Sequence, residues 1–187
     1  RNALTLDEHI NLKEYCDKKN ITYLCTPFSI KAAREIESLV PFFKIGSGEF
    51  QDHWYLDKLK QFDKPILLSS GMCTWDELVK NISYFKNLNL DFAIMNCLSE
   101  YPPLYSDMNL GVISKFKAKY PEIEIGHSDH SNDIATSIVA ASLGAGIIEK
   151  HITISRFIPG PDRAVSIDPE LFKQMVVSLR YINSCLG

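Results

Sequence analysis

The sequence reads IEIGHSDH at residues 123–130 and GIIEKHIT at residues 146–153. Each stretch is a short apolar run that ends in polar and charged side chains, which is typical of a parallel strand covered on both faces. Between the two runs, Ser131 precedes apolar residues at helical spacing, and Gly144 is placed to end a helix. A strand, a helix and a second parallel strand form the basic unit of α/β proteins, so this stretch predicts an α/β fold.

Four more apolar runs of the same kind precede this stretch. They are ITYLCTP (21–27), FFKIGSGE (42–49), KPILLSSG (64–71) and DFAIMNCLSEYP (91–102). Thr5 and Thr74 each open a capping box between such runs, and further helix starts are predicted at Ser106 and at Asp168-Pro169. The chain therefore predicts about six βα units in succession.

Polar side chains gather at the carboxyl ends of the predicted strands, the edge at which a (β/α)8 TIM barrel carries its active site. No G-x-G-x-x-G or P-loop sequence occurs, which disfavours a nucleotide-binding open sheet. A typical barrel has about 250 residues, whereas this chain has 187. We therefore expect residues 1–187 to form one partial TIM barrel of about six units, with the first two units missing.

The composition excludes several classes of partner. A net charge of −3 and the lack of a Lys/Arg run give no basic surface for nucleic acid or an anionic membrane. No apolar run is long enough to span a membrane, and the first residues do not have the layout of a signal peptide, so a cytoplasmic location is expected. Five scattered cysteines without C-x-x-C spacing indicate reduced thiols.

Two histidines, His130 and His151, end neighbouring predicted strands. Such strands lie about 4.8 Å apart, so two imidazoles at matching depth could share one divalent cation. Alternation places Ser128 on the face of His130 and Glu149 on the face of His151. Two imidazoles completed by oxygen ligands suit Mn²⁺ or Mg²⁺ better than a closed zinc site. The alternative for each histidine is a hydrogen-bonded structural role.

An anion site is predicted at the same edge. Lys44 is a charge within an apolar strand, and it would pair with Glu49 or a bound phosphate unless it reaches water. Hydroxyl groups that could donate to a phosphate or a carboxylate belong to Thr26, Ser47, Ser69 and Ser128. Serines also simply end strands and begin turns. The turn PGPD (159–162) would hold Asp162 near the mouth, or leave it in solvent.

Two other functions stay open on the residues alone. A buried lysine, Lys44 or Lys150, could form a Schiff base in a metal-independent barrel aldolase. A partial barrel could also bind phosphorylated ligands or a protein partner without catalysis, because an open sheet edge needs covering.

Seven strand-end motifs occur in a fixed order along the chain. They are CTPFS (25–29), KIGSGE (44–49), LSSGM (68–72), CLSEYP (97–102), GHSDH (126–130), EKHIT (149–153) and PGPD (159–162). With these motifs the sequence resembles the N-acetylneuraminate (sialic acid) synthase family over nearly its whole length. The resemblance implies a metal-dependent condensation of phosphoenolpyruvate with a 2-acetamido aldose, such as N-acetylmannosamine, to give a sialic-acid-like nonulosonate and phosphate. It also implies a longer, homodimeric parent protein, with further βα units before residue 1 and an antifreeze-like domain after residue 187.

The resemblance assigns roles to residues by matching motif. His130 and His151 would bind the metal, Mn²⁺ or Mg²⁺. Glu49 would assist at the reacting centre, and Asp162 would contact the sugar. The residues that would hold the carboxylate and phosphate of phosphoenolpyruvate are Thr26, Lys44, Ser47, Ser69, Ser99, Tyr101 and Ser128.

Overall fold

A computed structural model describes residues 4–186, in which strands and helices alternate from the first strand onward. The strands are β1 (Phe43–Ile45), β2 (Ile66–Ser69), β3 (Phe92–Cys97), β4 (Ile125–Asp129) and β5 (Ile147–Lys150). The helices are α1 (Leu6–Lys18), α2 (Ile30–Ile36), α3 (His53–Leu59), α4 (Trp75–Asn87), α5 (Gly111–Lys119), α6 (Ala135–Ser142) and α7 (Pro169–Leu186). The alternation confirms the predicted α/β class. Both ends of the predicted single domain, Arg1 and Gly187, lie outside the described residues.

The described chain forms two compact units, and the first comprises residues 4–68 and 74–92. Within it β1 runs parallel to β2, with Phe43 opposite Ile66 and Ile45 opposite Leu68. Every residue of β1 is buried, as expected for a parallel strand covered on both faces. The ring of Phe85 lies at the centre of an aromatic cluster in this unit and is fully buried.

Both predicted capping boxes are present in the first unit. The Thr5 hydroxyl accepts a hydrogen bond from the Glu8 backbone N–H, and the Glu8 carboxylate accepts one from the Thr5 backbone N–H. Thr74 and Glu77 make the same reciprocal pair at the start of α4. These contacts satisfy backbone donors that the first helical turn leaves without partners, which fixes where α1 and α4 begin.

The second unit comprises residues 69–73 and 93–186. Its strands β3, β4 and β5 are parallel and pair in chain order. Gly126 of β4 lies opposite Met95 of β3 and opposite Ile147 of β5. Helices α5 and α6 pack on β4, and α7 packs on α6. Helices therefore cover the sheet of this unit, as in other α/β proteins.

Three predicted elements differ from the structure. Residues 21–27 are not a strand, so the described chain has five strands rather than six. A strand needs ladder hydrogen bonds to a neighbour, and β-branched residues alone do not supply one. Helix α5 begins at Gly111 rather than after Ser106, which lies in a short 3-10 turn. Helix α6 begins at Ala135 without a side-chain cap, because the residue at the N-cap position is Ile134, which has no polar side chain, and Ser131 lies three residues earlier.

The other predicted helix signals are confirmed. The Asp168 carboxylate accepts a hydrogen bond from the Leu171 backbone N–H at the start of α7. Gly144 follows the end of α6 and has a φ of +104°, a left-handed conformation that favours glycine and that is common just after a helix. All five cysteines are free thiols. None of the helices in residues 4–186 combines the length and the apolar content that crossing a membrane requires.

Candidate active site

The register of the second unit builds the site in rows across its three strands. Cys97, Ser128 and Glu149 lie opposite one another at the carboxyl ends of β3, β4 and β5. Two residues further along, on the same face, come His130 and His151. Each histidine therefore lies two residues beyond its strand's member of this row, so the two histidines come at matching depth, as the sequence motifs predicted.

The two imidazole rings lie next to each other. Their centroids are 5.2 Å apart and the rings are nearly perpendicular, at 72°. Tyr101 covers both: its ring stacks on His130 at 4.1 Å and meets the edge of His151 at 5.9 Å. The Tyr101-Pro102 peptide bond is cis. The three rings form one cluster, which we call the imidazole cluster: Tyr101, His130 and His151.

Each imidazole is oriented through its Nδ1 atom. His130 Nδ1 lies 2.7 Å from the backbone oxygen of Leu98, so this nitrogen carries the proton and donates it to the carbonyl. His151 Nδ1 faces Oδ2 of Asp162 at 3.6 Å, slightly beyond direct hydrogen-bond distance. With both Nδ1 atoms turned toward protein oxygens, the Nε2 atoms are the ones left to face a ligand.

Asp162 reaches His151 because the chain returns after β5. Ile167 forms a parallel bridge with Ile152: its N–H donates to the carbonyl of His151 at 3.0 Å, and its carbonyl accepts from Thr153 N–H at 2.9 Å. We call residues 153–166 the bridged loop. Asp162 lies within it, and its backbone oxygen accepts a hydrogen bond from the Ser166 hydroxyl at 2.7 Å. The turn PGPD thus holds Asp162 beside a histidine, although the Asp162 side chain is still 55% exposed.

The imidazole pair fits a shared divalent metal ion. An ion bound at an imidazole nitrogen lies about 3.3 Å from the ring centroid, since the metal–nitrogen bond is about 2.1 Å long. Two rings that share an ion at bond angles of about 90° to 110° then have centroids about 4.7 to 5.4 Å apart. The observed separation, 5.2 Å, lies within that interval. Backbone or carboxylate partners on the far ring nitrogen are also the usual companions of metal-binding histidines.

The protonation of His130 suits the same role. Burial lowers the pKa of His130, and the hydrogen bond to the Leu98 carbonyl opposes that shift only in part. A neutral imidazole is the form that binds metal ions. Within residues 4–186, no group of three or more His, Cys, Asp or Glu side chains is placed to hold a metal. The described chain therefore offers two imidazoles, and the other ligands of a shared ion would be oxygens of water or substrate.

The row beneath the histidines is polar. The Ser128 hydroxyl is buried and donates a hydrogen bond of 2.6 Å to Oε1 of Glu149. Cys97 Sγ lies 4.0 Å from Nδ1 of His130. Burial raises the pKa of Tyr101, and the nearby Cys97, Asp162 and Glu149 raise it further, so the phenol keeps its proton and can donate it.

The other predicted substrate-binding residues are divided between the two units. Ser69 is buried at the end of β2, and Ser99 follows β3 and is half-buried. In the first unit, Lys44 is buried in β1 and its ammonium donates to the backbone oxygen of Ile45 at 3.3 Å. The Glu49 carboxylate lies against Gly46. The remaining two, Thr26 and Ser47, are half-buried in the first unit.

The comparison with protein families identifies the chain. The NeuB family model matches residues 1–187. The chain belongs to the NeuB family. This confirms the resemblance that the strand-end motifs predicted.

The NeuB relatives include named synthases. Human N-acetylneuraminate-9-phosphate synthase is 35% identical over 182 residues, which are 97% of this chain and 51% of that protein. The N,N'-diacetyllegionaminic acid synthase of Campylobacter jejuni is 33% identical over an alignment of 188 positions that covers 98% of this chain and 56% of that protein. The chain thus spans about half the length of these curated relatives.

A crystal structure of N-acetylneuraminic acid (sialic acid) synthetase from Leptospira borgpetersenii, in complex with citrate, has the same fold. It superposes with a TM-score of 0.93 at 33% identity, over 98% of this chain and 65% of that one.

Sequence reasoning on this NeuB chain gave no site role to Glu149 or Asp129, and it considered Lys150 only as a possible Schiff-base lysine. Glu149, the acceptor of the Ser128 hydroxyl, was recognised only as a strand-end residue. Asp129 and Lys150 form a fully buried ion pair of 3.1 Å directly before the two histidines. One signal was available in the sequence: a charged residue precedes the histidine in both GHSDH and EKHIT, with opposite sign.

The surroundings of Lys150 bear on the aldolase alternative. Its ammonium lies 3.1 Å from Oδ1 of Asp129, 2.6 Å from the Ser131 backbone oxygen and 3.0 Å from the Ser131 hydroxyl. An ammonium has three N–H groups, so all of them have acceptors here. A Schiff-base lysine needs an unprotonated nitrogen that reaches the substrate. Burial lowers the pKa of Lys150, which favours the first requirement, but the ammonium is held by Asp129 and Ser131 in the interior, which disfavours the second.

Proposed function

We propose that the protein catalyses a metal-dependent condensation of phosphoenolpyruvate with a 2-acetamido aldose. The enol carbon of phosphoenolpyruvate would bond to the aldehyde carbon of the open-chain sugar. Water would add to the resulting oxocarbenium carbon, and C–O cleavage would release phosphate and a sialic-acid-like nonulosonate. Membership of the NeuB family and the named synthases among its relatives support this proposal. The structural observation that carries it is the imidazole pair, His130 and His151, at 5.2 Å.

The imidazoles have a defined role in this proposal. His130 and His151 would hold Mn²⁺ or Mg²⁺ through Nε2, and the bound ion would polarise the aldehyde oxygen as a Lewis acid. The Leu98 carbonyl keeps the proton of His130 on Nδ1 and so keeps the Nε2 lone pair available. Asp162, which the resemblance assigns to the sugar, also lies where it can orient His151.

Three residues of the second unit would bind phosphoenolpyruvate. Ser69 and Ser128 have buried hydroxyl groups that could donate to anionic oxygens, and the Ser128 hydroxyl would leave its acceptor in the structure, Glu149, to do so. Tyr101 is half exposed and keeps a protonated phenol. The roles of Ser99 and, in the first unit, of Thr26, Lys44, Ser47 and Glu49 stay predictions from the resemblance.

The relatives indicate the class of acceptor. Their names refer to N-acetylneuraminate-9-phosphate and to N,N'-diacetyllegionaminic acid, both acids built on amino sugars. We therefore propose N-acetylmannosamine, its 6-phosphate or a diacetamido-trideoxy hexose as acceptors to be compared. A homodimer, and a cytoplasmic location, stay predictions.

Mass spectrometry of products tests the proposal. The full-length protein is incubated with phosphoenolpyruvate, Mn²⁺ and each candidate sugar, with and without a chelator. We expect a product at the combined mass of sugar and pyruvate that the chelator abolishes, and we expect His151→Ala to abolish it as well. His53→Ala is the matched control, because His53 bonds Asn81 in the first unit, so its product should persist. Unconsumed phosphoenolpyruvate with every sugar would refute the proposal for this panel. Activity that survives chelation, together with borohydride reduction of a covalent adduct between a lysine of the protein and a carbonyl substrate, would support the aldolase instead.

A further inference from the structure

We infer that the buried Asp129–Lys150 pair is a positioning device for the two histidines. The inference rests on the proposed function, because it concerns how the imidazoles are held for a ligand. Asp129 ends β4 and Lys150 ends β5, and the register places the two residues opposite each other. Each one directly precedes a histidine of the imidazole cluster. Their side chains are 0% and 1% exposed, and their charges are 3.1 Å apart.

The pair holds the backbone on both sides of His130. Asp129, on one side, accepts a hydrogen bond through Oδ1 from the backbone N–H of Ser131, on the other side, at 2.8 Å. The Lys150 ammonium donates to the backbone oxygen and the hydroxyl of the same Ser131, at 2.6 and 3.0 Å. His130 therefore lies between Asp129 and Ser131, which are hydrogen-bonded to each other. Both of these residues also contact Lys150, the residue before His151.

Two hydroxyl groups of helix α6 also bind the Asp129 carboxylate. Oδ2 of Asp129 accepts hydrogen bonds from the hydroxyls of Thr136 at 2.7 Å and Ser137 at 2.6 Å. Thr136 also lies 2.9 Å from the Ser131 hydroxyl. Every oxygen of the Asp129 carboxylate and every N–H of Lys150 thus has a partner. A buried charged pair needs such complete pairing if it is to persist in a packed interior.

The ionisation of Asp129 agrees with this arrangement. Burial alone would raise the pKa of its carboxyl, but the charge of Lys150 and the hydrogen bonds from Ser137, Thr136 and Ser131 outweigh burial and lower it to about 2. The carboxylate is therefore charged throughout the neutral range, and it keeps four directed contacts.

An apolar pair at the same positions would fill the space but would make no hydrogen bonds to Ser131. Replacing buried ion pairs by well-packed apolar residues is often neutral for stability, so stability does not account for this one. What the charges provide is bonds to the Ser131 backbone, and these define where His130 lies. Functional groups need to be held to within about 0.5 Å of their working positions, which is the task that we assign to the pair.

The test separates positioning from stability by replacing both charges. The variant is Asp129→Leu with Lys150→Met in the full-length protein, so that no unpaired charge is left in the interior. The matched control is Lys117→Met, because Lys117 also donates to a backbone oxygen of the second unit, that of Gly144, at 3.1 Å. A second variant, Asp129→Asn, keeps the side-chain shape and guards against misfolding of the double variant. Circular dichroism and denaturant midpoints establish which variants are folded.

The first readout is nitrogen-15 NMR of the histidine side chains without any metal. In the unsubstituted protein and in Lys117→Met we expect His130 in a single neutral form with the proton on Nδ1. In the folded double variant, and more weakly in Asp129→Asn, we expect that signature to broaden or to shift toward mixed tautomers. An unchanged His130 spectrum in folded variants would overturn the inference, since a merely structural pair would leave the imidazole as it was.

The second readout is Mn²⁺ alone, titrated by electron paramagnetic resonance. Loss of outer residues that orient metal ligands typically weakens binding by about 10- to 100-fold, and we expect this loss in the double variant. Lys117→Met should bind as the unsubstituted protein does. Equal Mn²⁺ affinity in the double variant would contradict the positioning role. If the unsubstituted protein binds no Mn²⁺, the proposed metal site is refuted, and the NMR spectra alone then decide between positioning and structural pairing.

Discussion

Substitution of Gly126 by alanine tests the packing beneath the candidate site. Gly126 lies in β4 between Met95 of β3 and Ile147 of β5. A Cβ atom added there would come within 2.7 Å of the Ile147 backbone oxygen and 2.8 Å of the Ile147 Cβ, and it would overlap the sulfur of Met95. The Met95 side chain can rotate away. The Ile147 carbonyl cannot, because it belongs to the strand that pairs with Gly126.

The size of the effect follows from these distances. Carbon atoms pack best at about 3.5–4.0 Å, so the new methyl group would be about 0.7 Å or more too close to the Ile147 Cβ. Overpacking of this kind costs about 1–3 kcal/mol, and we expect the upper half of that range because a backbone atom is involved. For a chain of this size, a loss of about 2–3 kcal/mol lowers the melting temperature by roughly 4 to 12 °C.

Urea unfolding followed by circular dichroism measures the change in free energy. The matched control is Gly111→Ala, because a Cβ at Gly111 meets nothing within 4 Å and the residue begins α5. We expect this control to unfold at the same or a slightly higher urea concentration, with a gain of up to about 1 kcal/mol. Equal midpoints for Gly126→Ala and the unsubstituted protein would refute the reasoning, and so would a loss in the control as large as that at Gly126.

Three further predictions concern pH, metal affinity and the core. Burial lowers the pKa of His127, so only the unfolded chain takes up a proton at this residue just below about pH 6.5, and stability falls as the pH drops. His127→Leu should therefore flatten the change in urea midpoint between about pH 7.5 and 5, and an equally steep change would count against burial as the cause. Asp162→Asn should weaken Mn²⁺ binding about 10-fold, measured by electron paramagnetic resonance, because it removes the charge beside His151; unchanged affinity would exclude that role. Phe85→Ala should cost about 3–5 kcal/mol in urea unfolding because Phe85 is fully buried against Phe50, and a loss below about 1 kcal/mol would contradict this packing.

Local signals in the sequence were sufficient for much of the fold. The capping boxes at Thr5 and Thr74 involve residues only three positions apart, so their partners can be read from the sequence itself. The pairing of His130 with His151 was also predictable, because parallel strands with matching ends bring equal offsets side by side.

Contacts between distant residues could not be read in this way. Residues 21–27 have the composition of a strand, but a strand depends on a neighbour that composition does not specify. The hydroxyl of Ser131 has the position of a helix cap, yet it receives a hydrogen bond from Lys150, nineteen residues further on. Asp162 reaches His151 only because Ile167 returns to Ile152, a contact with no local signature.

The bridge between Ile152 and Ile167 also separates sequence changes within the bridged loop from changes that would move His151. Because both ends of the bridged loop are hydrogen-bonded to the backbone next to His151, the parts of the loop other than Asp162 can differ in length or composition without displacing that histidine. Two apolar side chains of the loop, Ile154 and Phe157, are almost fully exposed and have little packing to lose. Under the proposed function, such a loop would allow the residues that meet a sugar to change by small insertions or exchanges while His151 keeps its position.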